Sequence, residues 1–328
     1  MSARSMLGRR RVLLLGALLS AVAGAAALPA VADASPAYQI IDLGLGDNSV
    51  ATAVNDRGHV TGDRQGHPFL WRNGQITDLF PNGEFGDVFD INNRDEIVGT
   101  RPVNGSTHGF LWRAGVVTDL GPLPGGATSF ASAINDRGVV AGTSEVSGGS
   151  LHAVRWQDGV PTDLGVRPGG NISIARDINR FGVIVGDSDI NGFNRVAVRW
   201  TRNGEIQSLT TTTETSATAL NDFGDVTGIV SGSTVHGFVL HQGEFTEIPA
   251  PPAPLFPGLQ PLGINNRLQI VGNTNPDAFV WQSGQLTTLP TLLASSVAHD
   301  INDHGLIVGG SSTSRGFDPK EHAVIWKR

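Results

Sequence analysis

The chain has 328 residues, 43 of them glycine, with 16% charged residues and a formal net charge of −7. It has no cysteine, which excludes disulfides, thiolate metal sites and a cysteine nucleophile. An acidic surface repels phosphate backbones, so nucleic acid is not an expected partner.

Residues 1–34 have the pattern of a secretory signal peptide. Arg4 and Arg9 to Arg11 form the basic start and Val12 to Ala27 the apolar centre. Small-x-small cleavage sites end at Ala32 and Ala34. The apolar run is short for a spanning helix. The mature chain, 35–328, is therefore expected to be secreted, as one domain with no membrane span. The arginines before Val12 also admit twin-arginine export. Removing the segment takes away four arginines and one aspartate, which moves the charge from −7 to −10.

After a short leader, 38–44 (YQIIDLG) reads as a lone strand without neighbouring partners. A unit then recurs seven times, over about 45–79, 80–120, 121–164, 165–209, 210–248, 249–289 and 290–328. Asn55, Asn92, Asn135, Asn179, Asn221, Asn265 and Asn302 mark one position in each. Each follows Val, Ile or Leu, and a glycine stands seven residues later, from Gly62 to Gly309. An anchor follows at Trp71, Trp112, Trp156, Trp200, Trp281 and Trp326, which are all the tryptophans of the chain. Unit five has Leu240 in that slot.

The third unit shows the internal plan. SFASAIN (129–135) alternates as a strand, with Ser129, Ala131, Ala133 and Asn135 on one face and Phe130, Ser132 and Ile134 on the other. Asn-Asp-Arg-Gly makes a tight turn, because Asn and Asp bond their own backbone and Gly138 tolerates positive φ. VVAG is apolar on both faces, HAVRW is the third strand, and Gln-Asp-Gly turns into VPTDLG. Units five and six enter through TTTTET and PAPPAPLFPG. The latter is a stiff, extended connector rather than a domain boundary, since the strand pattern resumes at once. Four short strands per 40 residues, repeated, predict an all-β, seven-bladed β-propeller. The last unit stops at HAVIWKR without a fourth strand. The N-terminal strand 38–44 is expected to supply it, closing the ring and removing an open sheet edge.

The pieces HPFLW (67–71), HGFLW (108–112), HAVRW (152–156), HGFVL (236–240), DAFVW (277–281) and HAVIW (322–326), with TDLG strands and INDRG turns, resemble the HAF repeat of secreted bacterial proteins. The resemblance spans about 38–328. No unit spells His-Ala-Phe, and unit four (VAVRW) lacks the histidine. The resemblance implies a secreted propeller and no catalytic residues.

Three groups carry candidate chemistry. His67, His108, His152, His236 and His322 share one position, but equivalent positions on stacked sheets lie about 10 Å apart, too far for one metal ion. They are expected to be structural imidazoles bonded to backbone or a nearby Asn. Asp187, Asp189 and Asn191, followed by Gly192, match the opening of a calcium loop, although Arg195 and Val198 stand where further oxygen ligands belong. Asp90, Asp177 and Asp300 share one inner-strand position two before the repeat Asn. They would be channel carboxylates able to act as acid and base, or turn-capping groups. No nucleophile elbow, zinc-protease, phosphate-loop or dinucleotide motif is present. No cofactor is expected unless calcium binds the Asp187 loop.

The turns after strands one and three are uniform, whereas the loops after strands two and four vary. Variable loops on a rigid scaffold are where recognition residues sit. The expectation is a monomeric, secreted binding or scaffold module that recognises an extracellular glycan or protein through that face. The alternative is a propeller hydrolase or lyase acting on an extracellular polymer through the channel carboxylates.

Overall fold

The computed structural model describes residues 37–192, 194–249, 258–314 and 320–328. The expected signal peptide lies outside them, as do most of the proline-rich entry to blade six and part of the long loop of blade seven. The described residues form a seven-bladed β-propeller of four-stranded antiparallel sheets, with no helix. In blade three the inner strand is Ser129–Ile134, followed by Val140–Glu145, Leu151–Gln157 and the outer strand Val160–Asp163.

The ring closes as the repeat count requires. Gln39–Asp42 pairs antiparallel with Glu321–Lys327 as the outer strand of blade seven, with Gln39 opposite Lys327 and Asp42 opposite Val324. The Leu43 N–H adds a bond to the Ala323 carbonyl at 3.0 Å.

Strict alternation along the inner strand does not hold. Every inner strand carries a β-bulge, placed in blade three between Ala131 and Ala133. An extra residue inverts the facing of all that follow it. Ala131 and Ile134 therefore pack toward blade two, with Leu111, Leu120 and Trp156, while Ala133 packs toward blade four, with Ala175 and Ile178. The bulge also explains the repeat glycine. A Cβ on Gly142 would run into the Phe130 carbonyl oxygen, and the same clash recurs at each of its six equivalents. The glycine is there because the inner strand's backbone approaches too closely for any side chain.

The core lies in the seams between blades. Each tryptophan packs against the preceding blade: Trp112 with Leu70 and Leu79, Trp156 with Leu111 and Leu120, Trp281 with Val239 and Ile248, Trp326 with Val280 and Leu289.

Candidate functional site

The repeat asparagines form a closed circuit at the uniform-turn end of the channel. Each Oδ1 accepts the N–H groups two and four residues on, as Asn135 does from Arg137 and Val139. Each Nδ2 donates to the carbonyl of the next blade's asparagine. The chain of donors runs from Asn55 to Asn92, Asn135, Asn179, Asn221, Asn265 and Asn302, and from Asn302 back to Asn55 at 2.9 Å. All seven side chains are buried, with their amides committed to these bonds, and they line a cavity of about 190 Å³ at the channel mouth.

Deeper in the channel, the structure brings Asp90, Asp177 and Asp300 to the wall of one small cavity of about 130 Å³, beside Arg176 and His299. Each aspartate bridges two blades. In Asp90 one oxygen accepts from its own neighbour Ile91 (2.7 Å) and the other from Ile134 of the next blade (2.7 Å). Asp177 serves Ile178 and Leu220 in the same way, and Asp300 serves Ile301 and Val54. Three carboxylates thus satisfy six inner-strand N–H groups beside the bulges. Burial raises their pKa values against the opposing effect of these bonds: to about 6 for Asp177 and Asp300, and well above the usual range for Asp90, which also feels the other two charges. Burial pushes His299 down to about 4, so it is neutral near pH 7.

Asp187 and Asp189 are also committed to protein donors. Asp187, 1% exposed, holds Arg176, Arg195 (2.8 Å) and the Ser216 hydroxyl (2.6 Å). Asp189 accepts the N–H groups of Asn171, Ile172 and Gly192. Burial opposes ionisation of Asp189, but those bonds outweigh it and hold its pKa below the ordinary value. Asn191 accepts from the Asn194 N–H. This arrangement does not fit calcium, since a cation would have to displace two guanidiniums. Among the described residues no three His, Asp or Glu gather as metal ligands.

The shared histidines divide by blade. His108, His152 and His322 pair with outer-strand carboxylates, Asp119 (3.1 Å), Asp163 (2.9 Å) and Asp42 (2.7 Å). His67 lies against Phe85, and His236 bonds Thr234. In those three blades the partner is thus the aspartate of the outer strand, not an asparagine or backbone group, because the His and that Asp share one face across adjacent strands.

The larger of the described clefts on the variable-loop face, about 300 Å³, lies where blades four, five and six meet. Arg176 and Arg195, each about 40% exposed, line it over the buried Asp187 that orients both, with Glu214, Thr215, Ser231 and Gln260 around them. Sequence reasoning did not single out these arginines. The one available sign was Arg176, at a bulge position that holds Thr, Phe, Ser, Leu or His in the other blades.

No family profile matches the sequence, and no curated protein does. Similar folds are found among solved structures. YCF48 bound to D1 peptide superposes with a TM-score of 0.51 at 13% identity, covering 89% of this chain and 96% of that one. A puromycin-hydrolysing peptidase of Mycobacterium tuberculosis gives 0.54 at 11%, covering 82% of this chain and 50% of that one. The extracellular domain of a one-component system from B. thetaiotaomicron gives 0.51 at 10%, covering 89% and 40%. At such identities these likenesses establish the propeller class alone.

Proposed function

We propose that the protein is a secreted, non-catalytic recognition module whose loop-face cleft holds an anionic group of an extracellular glycan or peptide. The observation that carries this reading is the pair Arg176 and Arg195 clamped on Asp187. One buried carboxylate serves two guanidiniums, leaving guanidinium nitrogens over, and planar N–H forks suit carboxylate and phosphate oxygens. Holding them in place beforehand lowers the ordering cost of binding. The fold shared with peptide-bound YCF48 agrees with a binding role.

A channel hydrolase is the second reading, favoured by the raised pKa values of Asp177 and Asp300. Against it, both oxygens of each carboxylate already bond backbone N–H groups, and the cavity of about 130 Å³ is below the usual size of a ligand pocket, about 300–1,000 Å³.

Calorimetric titration with oligogalacturonate, with an acidic peptide and with a neutral oligosaccharide tests the proposal. The expected result is binding of an acidic probe only, weakened about tenfold or more by Arg195→Gln. Equal binding of the neutral sugar, or no effect of Arg195→Gln, would overturn it. Turnover of the polymer, lost in Asp177→Ala, would instead establish the enzyme.

A further inference from the structure

The uniform-turn face, which the repeat makes monotonous elsewhere, breaks its pattern at blades four and five. Blade five has Leu240 where six blades have tryptophan. In five of the other six seams the indole shares a core cluster with two residues of the preceding blade, as Trp156 does with Leu111 and Leu120; at Trp200 the first of those places is Arg155, and Leu164 alone is in the cluster. The equivalents here are Arg199 and Leu209. Both line, with Leu240, a groove of about 760 Å³, the largest of the open sites described. Across the groove stands Phe223, 74% exposed. Its turn position holds Arg57, Arg94, Arg137, Arg267 or His304 in other blades, and Phe181 in the adjacent blade four, 46% exposed. Two departures from the repeat thus fall together at blade five: an internal aromatic is lost, and an exposed one, Phe223, stands beside the space it leaves.

An exposed phenylalanine does nothing for a blade that holds arginine there in its siblings, and beside Leu209 and Leu240 it adds to an exposed apolar patch of the kind that marks interaction sites. What the space accepts is indicated by the protein's own six examples, each an indole set between two blades. Arg199, held by a 2.8 Å bond to Gln207, adds a guanidinium that Leu240 cannot use and an aromatic face can. His241, fixed by Asp225 at 2.8 Å, and Gln242 supply a polar rim.

We propose that this groove is a second binding site, which takes a planar aromatic side chain, tryptophan above all, from a peptide partner, in the place an intrinsic indole fills in the other blades. It lies on the face opposite the arginine cleft and does not depend on what that cleft binds.

The test is ligand-observed saturation-transfer NMR with N-acetyl-tryptophanamide, N-acetyl-leucinamide and a neutral oligosaccharide at millimolar concentration. The expected result is transfer to the indole protons alone. Leu240→Trp, which restores the repeat, abolishes it and leaves the thermal midpoint equal or higher. Phe223→Ala, at an exposed turn and safe for folding, weakens the signal at least threefold, which keeps the test sound if Leu240→Trp folds poorly. Equal transfer to leucinamide, preference for the sugar, an unaltered signal in both variants, or dimerisation through this face abolished by Phe223→Ala would each overturn the proposal.

Discussion

A single asparagine in each blade does three jobs, and each requires its amide. Asn135 accepts two turn N–H groups and donates to the Asn179 carbonyl at 3.1 Å. Aspartate would keep the two accepted bonds but turn a second acceptor toward that carbonyl. Alanine would leave the Arg137 and Val139 N–H groups without their acceptor and take from the Asn179 carbonyl its link to blade three, leaving it the Gly182 N–H alone. We expect Asn135→Ala to lower stability by about 2–4 kcal/mol, from the cost of stranding buried polar groups. Asn135→Asp should lose a similar amount at pH 7 and less at pH 4, where a protonated carboxyl can donate. Urea denaturation at the two pH values measures both, and a loss for Asn135→Asp that is the same at each would contradict the role of the donated bond. This asparagine was visible in the sequence as a periodic mark, because it obeys local rules: a turn, with its glycine and its aliphatic predecessor. Arg176 and Asp187 were not. Their meaning depends on Ser216, 29 residues beyond Asp187 and in another blade, and no local period announces such a contact.

At the scale of the strand, the bulge separates what the sequence disclosed from what it hid. The repeat glycine could be read as a mark but not as a cause, since its cause is a carbonyl of the neighbouring strand. The channel position of Asp90, Asp177 and Asp300 followed from the strand pattern, but their reach into the next blade did not, because it needs the inversion that one inserted residue brings. Ala53, Ala133 and Ala219 occupy the same position in the blades that receive them, and a side chain as small as alanine leaves room for the crossing carboxylate. The link has a pH signature. Asp300 has a folded pKa of about 6 against an ordinary 3.8, so the native state binds its proton more tightly than the unfolded chain does. Its contribution to stability therefore grows as pH falls from about 7 to about 4 and is flat below. A shift of that size is worth about 2–3 kcal/mol, trimmed by whatever channel water reaches the group. Asp300→Ala strands the Val54 and Ile301 N–H groups, so it should be less stable than the wild type throughout. The gap between the two should widen on acidification across that window. A gap that stays constant or narrows would mean the carboxylate ionises in the ordinary range.

For the whole molecule, the decisive fact is that the two ends of the described chain meet as neighbouring strands of one sheet. Lys327 pairs with Gln39 as Gln157 pairs with Val160 in blade three, where only Asp158 and Gly159 intervene. Arg328 and Tyr38 stand at the corresponding places in blade seven, with the guanidinium 4.7 Å from the ring centroid. At this hairpin blade seven therefore differs from blade three in a missing peptide connection, and the seam is a position rather than a structural need. Joining Lys327 to Gln39 through Asp-Gly, and opening the chain between Asp158 and Gly159, should move the seam from blade seven to blade three with the fold intact. Each version still closes its ring by pairing an outer strand with the other end of the chain, so the loop closed in each case is the whole ring, and closure entropy varies only slowly with length. The expected outcome is a monomer with the wild-type far-ultraviolet spectrum and a thermal midpoint within about 5 °C, roughly a 1–2 kcal/mol change at this size. A chain in the natural order but starting at Gly44, so that blade seven lacks its outer strand, should instead expose the edge of Glu321–Lys327 and associate, since an unpaired edge is a template for further pairing. If the permuted chain were as prone to association as the truncated one, pairing of the ends would not be what closes the ring, and blade seven would need some contact particular to its natural termini.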